Sequence, residues 1–384
     1  MAEMLFQITA ENLETGMRGY PVGYCTTSTV DPQKGLFYVG KLIDEVAQWA
    51  PEEVIYLIYF GKQGNRQEVK AFFADIQKRC HLSKETVQAI YRLPRKGPPM
   101  KLFAAALLIL GMLEGSGDYR EDCLNIIAKA PALVAAVINH HAGWGETPAS
   151  QPERGYMESF THMLQVPQGD PTALIPVFRL FNILHYDHGG GNLSTFVGKA
   201  VASGLEDMYG SLSSAILALA GPKHGGANQD CLNFVREELK EVGEKATAKD
   251  VERSIRKRIA NEQLVFGFGH AVLRVEDARA TVVYDFVQKT YPNHPLVKIG
   301  LLLRTEGSKV LAENPKIQDP HPNIDAISGT MLAVAGFDYP EYFTVLFGLS
   351  RIVGIARQIV YERLEARGGK GTPIIRPKYI YKHN

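Results

Sequence analysis

Apolar residues recurring at spacings of three and four dominate this chain, and that period commits it to a helical fold. In residues 231–243, Leu232, Val235, Leu239 and Val242 line one face, glutamates and lysines line the other, and Gly243 supplies a stop. Thr247 opens a second helix with Asp250 three residues on, a shortened capping box, and Val251, Ile255 and Ile259 form its stripe. The same period predicts helices over residues 41–50, 68–80, 122–139, 173–184, 195–219, 279–289 and 344–364, with Pro131 breaking or kinking the third. The run 103–113 lies between Lys101 and Glu114; it reads as a buried helix, too short to span a bilayer. Strand signals are confined to 24–30, 36–39 and 379–381. The expected class is all-α with minor β elements, and 384 residues exceed one ordinary core, so two domains are expected.

Net charge is only +1, which gives no electrostatic argument for a nucleic-acid or membrane partner. The basic run from Arg253 to Arg258 reads first as the solvated face of a helix. Cys25, Cys80, Cys123 and Cys231 are widely spaced, a pattern that fits reduced thiols better than a disulfide frame or a zinc site. The first residues lack the cationic region of a signal peptide and the arginines of a transit peptide. Together these predict a cytoplasmic protein.

Chemistry concentrates in two glycine-bracketed histidines, His224 within residues 221–226 and His270 within 267–270, followed by Asp325 after Pro322, Asn323 and Ile324. Glycines beside a histidine allow a tight turn and close approach to a ligand. Two neutral imidazoles and one carboxylate suffice to move protons between carbon and oxygen near neutral pH. His185 and His188 form a His-x-x-His pair, but glycines follow at once and only Asp187 is near as a further ligand, so no metal is expected. The better reading is a glycine turn presenting His188 and Asn192 to a small anion. Arg274, Arg279, Arg351 and Arg376 are suited to gripping carboxylates or phosphates, and around a proton-transfer kit they point to a di- or tricarboxylate substrate.

At these residues the chain resembles the citrate synthase family, of the type with eukaryotic-like motifs. The matching segments are 184–192, 221–228, 267–279, 322–329 and 342–351, in the family's order, with a less specific match at 16–19 and 35–38. The resemblance implies an almost wholly helical homodimer. Residues 1–224 and 331–384 would form a large domain, and 225–330 a small one on the coenzyme A side. It implies condensation of acetyl-CoA with oxaloacetate and hydrolysis of citryl-CoA, with CoA as co-substrate and no permanently bound cofactor. By the same resemblance Asp325 matches the base at the acetyl methyl group, His224 the donor to the thioester oxygen, and His270 the group that polarises the oxaloacetate carbonyl. His188, Arg279 and Arg351 match the carboxylate cradle, and Arg376 an arginine lent by the partner subunit. Arg274 matches a coenzyme A phosphate contact, and the turn at Gly267 lines the same co-substrate.

Four positions depart from the family pattern. Gly189 stands where an acid usually follows the histidine, Ala278 replaces a proline, Ile327 a histidine or aromatic residue, and His321 a tryptophan. Two rivals remain at this stage: a 2-methylcitrate synthase using propionyl-CoA with the same residues, and a helical carboxylate-sensing or interaction protein without turnover. One methylene changes discrimination by only about 1–3 kcal/mol, so sequence does not separate the two acyl-CoA substrates.

Overall fold

The computed structural model describes residues 4–383. Its β content is one antiparallel meander of β1 (Ser28–Asp31), β2 (Gly35–Tyr38) and β3 (Lys41–Leu42), with Ser28 opposite Tyr38 and Phe37 opposite Leu42. Helices make the rest. The N-terminal set comprises α1 (Ile43–Val46), α2 (Pro51–Phe60), α3 (Arg66–Arg79), α4 (Lys84–Tyr91), α5 (Pro99–Glu114), α6 (Tyr119–Ala142) and α7 (Tyr156–Met163). The site-bearing set follows with α8 (Pro171–His185), α9 (Leu193–Ser203), α10 (Met208–Leu219), α11 (Ala227–Val242), α12 (Ala248–Ala260), α13 (Ala278–Thr290), α14 (Pro295–Ala312), α15 (Asp325–Val334) and α16 (Phe343–Val360).

Local chemistry explains most boundaries. Asn65 caps α3 by accepting from the amides of Gln67 and Glu68, and Glu68 returns a bond to the Asn65 amide, a complete capping box. Pro51 and Pro295 sit in the first turns of α2 and α14, where a missing amide donor costs nothing. The expected box at Thr247 is present, through Asp250.

The main core gathers α5, α6, α8, α10 and α16 around fully buried residues such as Phe103, Leu133, Phe178, Leu212 and Ile352. A second apolar cluster, Phe234, Val235, Val251, Ile255, Ile299, Leu303 and Val310, joins α11, α12 and α14. The helices α13 and α15 join the two: Ala280, Val283, Ile327 and Met331 belong to the main core, while α15 also packs against α11 and α14. Two helical stretches, Tyr119–Ala142 and Pro340–Gly369, are long and apolar enough to cross a membrane, but their most apolar windows are 83% and 94% buried within the protein. That burial is what core helices require.

Several expectations need correcting. Pro131 neither breaks nor ends its helix, since α6 runs through it with the ring buried among Ile127, Ala130 and Val134. Residues 195–219 form two helices, because Gly204 ends one and Leu205 adopts a left-handed φ of 69° before Asp207 caps the next. Residues 41–50 contribute only the short α1, because Lys41 and Leu42 pair with β2. The tail 379–381 forms no strand; it has no neighbouring strand to pair with.

Candidate active site

Four loop-to-helix junctions and one buried helix supply the site. α8 ends at His185, and the chain turns through Asp187, His188 and Gly189 to Asn192, which caps α9 by accepting from the Thr195 amide at 3.1 Å. His224 sits in the turn between α10 and α11, where Thr344 donates to the Gly225 carbonyl at 2.9 Å. His270 lies in the loop before α13, Asp325 begins α15, and Arg351 lies in the middle of α16.

The His270 and Asp325 loops are sewn together by backbone bonds. Asn323 N donates to Gly267 O (2.9 Å), Gly269 N to His321 O (3.0 Å), Asp277 N to Pro322 O (3.2 Å), and the Asn323 amide reaches Gly269 O (2.9 Å). Gly267 permits this by two means. Its φ is +83°, and a Cβ there would lie 2.7 Å from Ala326 Cα, beside the Asp325 backbone. The carboxylate and the imidazole therefore move as one unit.

Each imidazole is neutral and each has a defined tautomer. His224 Nε2 lies 3.2 Å from the Ser194 amide and 2.9 Å from Ser194 Oγ; since the backbone N–H can only donate, Nε2 is assigned as the acceptor and the proton to Nδ1. Ser194 is itself held through its hydroxyl on Asn192 Oδ1 at 2.8 Å. His270 Nδ1 accepts from the amides of Val272 and Leu273, both at 3.0 Å, so its proton resides on Nε2. Burial pushes His224 down to about 4, and Arg351 adds to the effect. Burial also lowers His270, with Arg279 reinforcing it. Both rings are thus hydrogen-bond donors near neutral pH without carrying charge.

Asp325 is half-buried, and desolvation raises its carboxyl to about 6, against the opposing pull of Arg279 and Arg351. A carboxylate so placed is a stronger base than one in water, yet still ionised at pH 7.

Two arginines lie beneath these groups. Arg279, 4% exposed, is gripped by Asp277 through Nε to Oδ1 at 3.0 Å and Nη2 to Oδ2 at 2.7 Å. Arg351, 2% exposed, donates Nε to His185 O at 3.0 Å and lies over the Phe347 ring, while its two terminal nitrogens have no acceptor among the described residues. Burial lowers it to about 10, so it stays charged at pH 7. The His188 and His270 rings meet edge to face at 5.4 Å, and His188 Nε2 is buried with no hydrogen-bond partner. Burial pushes His188 well down, with Arg279 and Arg351 adding to it. A buried imidazole nitrogen without a partner, beside two cations, is the signature of an anion site.

Other residues singled out from the sequence stand differently. Asn192 donates its amide to His188 O and Gly189 O and so holds the loop. His185 is buried against Phe181 with Nδ1 on Phe181 O, remote in role from its His188 neighbour. Arg274 is exposed and folds its guanidinium onto Leu273 O at 2.6 Å. Arg376 is exposed on the extended tail. Ile327 is fully buried, facing Gly300 of α14, and Ala278 packs on Gly35 of the hairpin. Sequence reasoning missed Asp277 and Ser194, the residues that orient Arg279 and His224; Asp277 was findable as the cap immediately before α13.

This fold and this site define a class: a helical acid–base enzyme that binds a small polycarboxylate and moves a proton without fixed charge on its imidazoles. Residues 16–378 match the family model described as citrate synthase, C-terminal domain. Citrate synthase 4, mitochondrial, of Arabidopsis thaliana is 32% identical over 98% of this chain and 83% of its own length, and the mitochondrial citrate synthase of Citrus maxima is 32% identical with the same coverage. Among solved structures, citrate synthase from Thermoplasma acidophilum, in ternary complex with carboxymethyl coenzyme A and oxaloacetate, superposes with a TM-score of 0.82 at 26% identity over 96% of both chains. The enzyme from Pyrobaculum aerophilum gives 0.80 at 27% identity over 96% of this chain and 92% of its own. The chain belongs to the citrate synthase family.

Proposed function

We propose that this protein condenses acetyl-CoA with oxaloacetate and hydrolyses the resulting citryl-CoA, releasing citrate and free CoA. The observation that carries this reading is a pair of neutral histidines with opposite protonated nitrogens, a raised carboxylate whose loop is bonded to that of His270, and two buried arginines whose charges act on these groups. Arg279, Arg351 and His188 hold the oxaloacetate carboxylates. Asp325 takes a proton from the acetyl methyl group while Nδ1–H of His224 bonds the thioester oxygen. The nascent enol attacks the oxaloacetate ketone, and Nε2–H of His270 gives its proton to the new alkoxide. Water then cleaves the thioester, giving citrate and the thiol.

A carboxylate alone is far too weak a base for a thioester α-proton. A hydrogen bond aimed at developing oxygen charge is worth roughly 2.7–4 kcal/mol, and positioned acid–base groups supply about 10² to 10⁴ in rate. A charged imidazolium at His224 would be the stronger donor. Neutrality instead keeps that ring from pairing permanently with Asp325.

The remaining assignments are part of the same proposal. Arg274 and the Gly267 turn serve the CoA side. Residues 225–330 form a unit that closes over the bound substrates, and Arg376 completes the site of a second copy. Exposed Leu108 and Met112 on α5, Leu217 on α10, and Ile374, Tyr379, Ile380 and Tyr381 on the tail give such a dimer apolar surface to bury. The compartment we propose is the cytosol, on the spacing of the four thiols; the plant relatives bear mitochondrial names. Thiol release in the presence of oxaloacetate, measured with acetyl-CoA and with propionyl-CoA, tests the reading. Higher kcat/KM for acetyl-CoA is expected, and a preference for propionyl-CoA would replace it with 2-methylcitrate synthesis.

A further inference from the structure

Behind the glycine turn that carries His188 lies a buried carboxylate the mechanism does not use. Asp187 is wholly inaccessible, yet no lysine or arginine forms an ion pair with it among the described residues. Its oxygens are satisfied by neutral donors from distant segments: Thr27 Oγ1, Ser28 Oγ at 2.7 Å, and Gln358 Nε2 at 2.9 and 3.1 Å. Desolvating a carboxylate without a cationic partner is costly, and three donors brought from the start and end of the chain are a large investment in one position.

Ser28 shows what that investment does. Its hydroxyl hydrogen goes to Asp187, and its oxygen accepts from Gly189 N at 2.7 Å. Gly189 has φ +75°, a left-handed conformation, and its carbonyl is held by Asn192 at 3.0 Å. The residue after His188 is thus clamped at both its amide and its carbonyl. In this chain no acid follows His188, so the orientation such an acid would provide must come from elsewhere. Among the described residues nothing bonds the His188 ring; the backbone that carries it is fixed instead. Without pairing with Arg351, Asp187 also favours the protonated form of that arginine more than any other charge does. One buried carboxylate therefore steadies both the neutral donor and the cation of the anion site.

We propose that Asp187, acting through Ser28 on the Gly189 amide, is the positioning residue for the oxaloacetate end of the site, with no direct contact to substrate. This rests on the reading of that end as an oxaloacetate cradle. It assigns the N-terminal hairpin, through Ser28, a part in substrate affinity.

The test is steady-state kinetics of the full-length protein, with both substrates varied, for Ser28→Ala, Asp187→Asn and the double variant. Ser28→Ala removes one small hydroxyl. It should raise KM for oxaloacetate about tenfold, the worth of one charge-assisted hydrogen bond, and leave KM for acetyl-CoA within about twofold. Because both residues act along one path, the double variant should be no more impaired toward oxaloacetate than Asp187→Asn alone. A wild-type KM for oxaloacetate in Ser28→Ala, an equal rise in both KM values, or strictly additive losses would each overturn the proposal. Failure of the wild-type protein to release thiol with oxaloacetate would instead sink the underlying functional reading.

Discussion

The two ends of the site are built to different standards. The proposed oxaloacetate end is largely preformed within one chain: Arg279 has Asp277, His188 has its clamped turn, Arg351 has His185 O and the Asp187 field, and both arginines are nearly inaccessible. The proposed CoA end is open by contrast, with Arg274 exposed and bonded to its own loop, and Arg376, the arginine proposed for a second copy's site, is likewise exposed on an extended tail. A preformed end binds its ligand at little conformational cost, whereas an open end must be assembled on binding. On the proposed function, oxaloacetate would enter first and its binding would favour the closed arrangement that completes the CoA end, keeping water from the enol until the new carbon–carbon bond exists.

Substitutions should break this contrast unevenly. The largest effect belongs to the proton-transfer kit. Asp325→Ala should lower kcat by about 10³ while oxaloacetate still binds, as a calorimetric titration would register; unchanged turnover refutes the base. Removing His224 as alanine should cost about 10² to 10³ in kcat, with acetyl-CoA affinity nearly preserved. At the preformed end, Arg279→Met should weaken oxaloacetate binding and also destabilise the fold by about 3–5 kcal/mol, because Asp277 is left buried and unpaired. Adding Asp277→Asn should return part of that stability in a denaturant titration, but none of the affinity. At the open end, Arg274→Ala should raise KM for acetyl-CoA about tenfold and do nothing to stability, and the effect should fade at high salt.

The pH behaviour carries a smaller but sharper signature. Asp325 must be ionised to act, so kcat/KM for acetyl-CoA should hold above pH 6 and fall about tenfold per unit below it. The folded carboxyl lies above its unfolded value, so the native state binds more protons between about 4 and 6. That group's contribution to stability therefore declines as pH rises through this window. Asp325→Asn should consequently be nearly inactive yet melt higher than wild type at pH 7, and a lower melting temperature would count against the burial argument.

How much of this was legible in the sequence depends on whether its cause was local. The stripes of α11 and α12 were readable, since period and caps lie within a few residues, except that Ile259, expected in the α12 stripe, is exposed in the last turn. The continuity of α6 through Pro131 was not, because what compensates the lost bond is packing against α16, distant in sequence. The break between α9 and α10 was available in Gly204 and Asp207 but was masked by an unbroken apolar pattern. His224, His270 and Asp325 stood out because glycine and proline mark their turns. The ring of His270 is oriented locally, by the Val272 and Leu273 amides, but other orienting partners are remote: Ser194 lies 30 residues from His224, and Ser28 lies 159 residues from Asp187. The chemistry was written locally, and its geometry was written across the chain.

The account turns on Asp325 taking a proton from carbon while a neutral His224 bears the charge arising on oxygen. Proton NMR of acetyl-CoA in D₂O, with the enzyme and a dicarboxylate that fills the oxaloacetate cradle but has no ketone, isolates that step from bond formation. The methyl signal should lose intensity through deuterium exchange with wild-type protein, and should persist with Asp325→Ala or His224→Ala. Exchange at the wild-type rate in Asp325→Ala would contradict it.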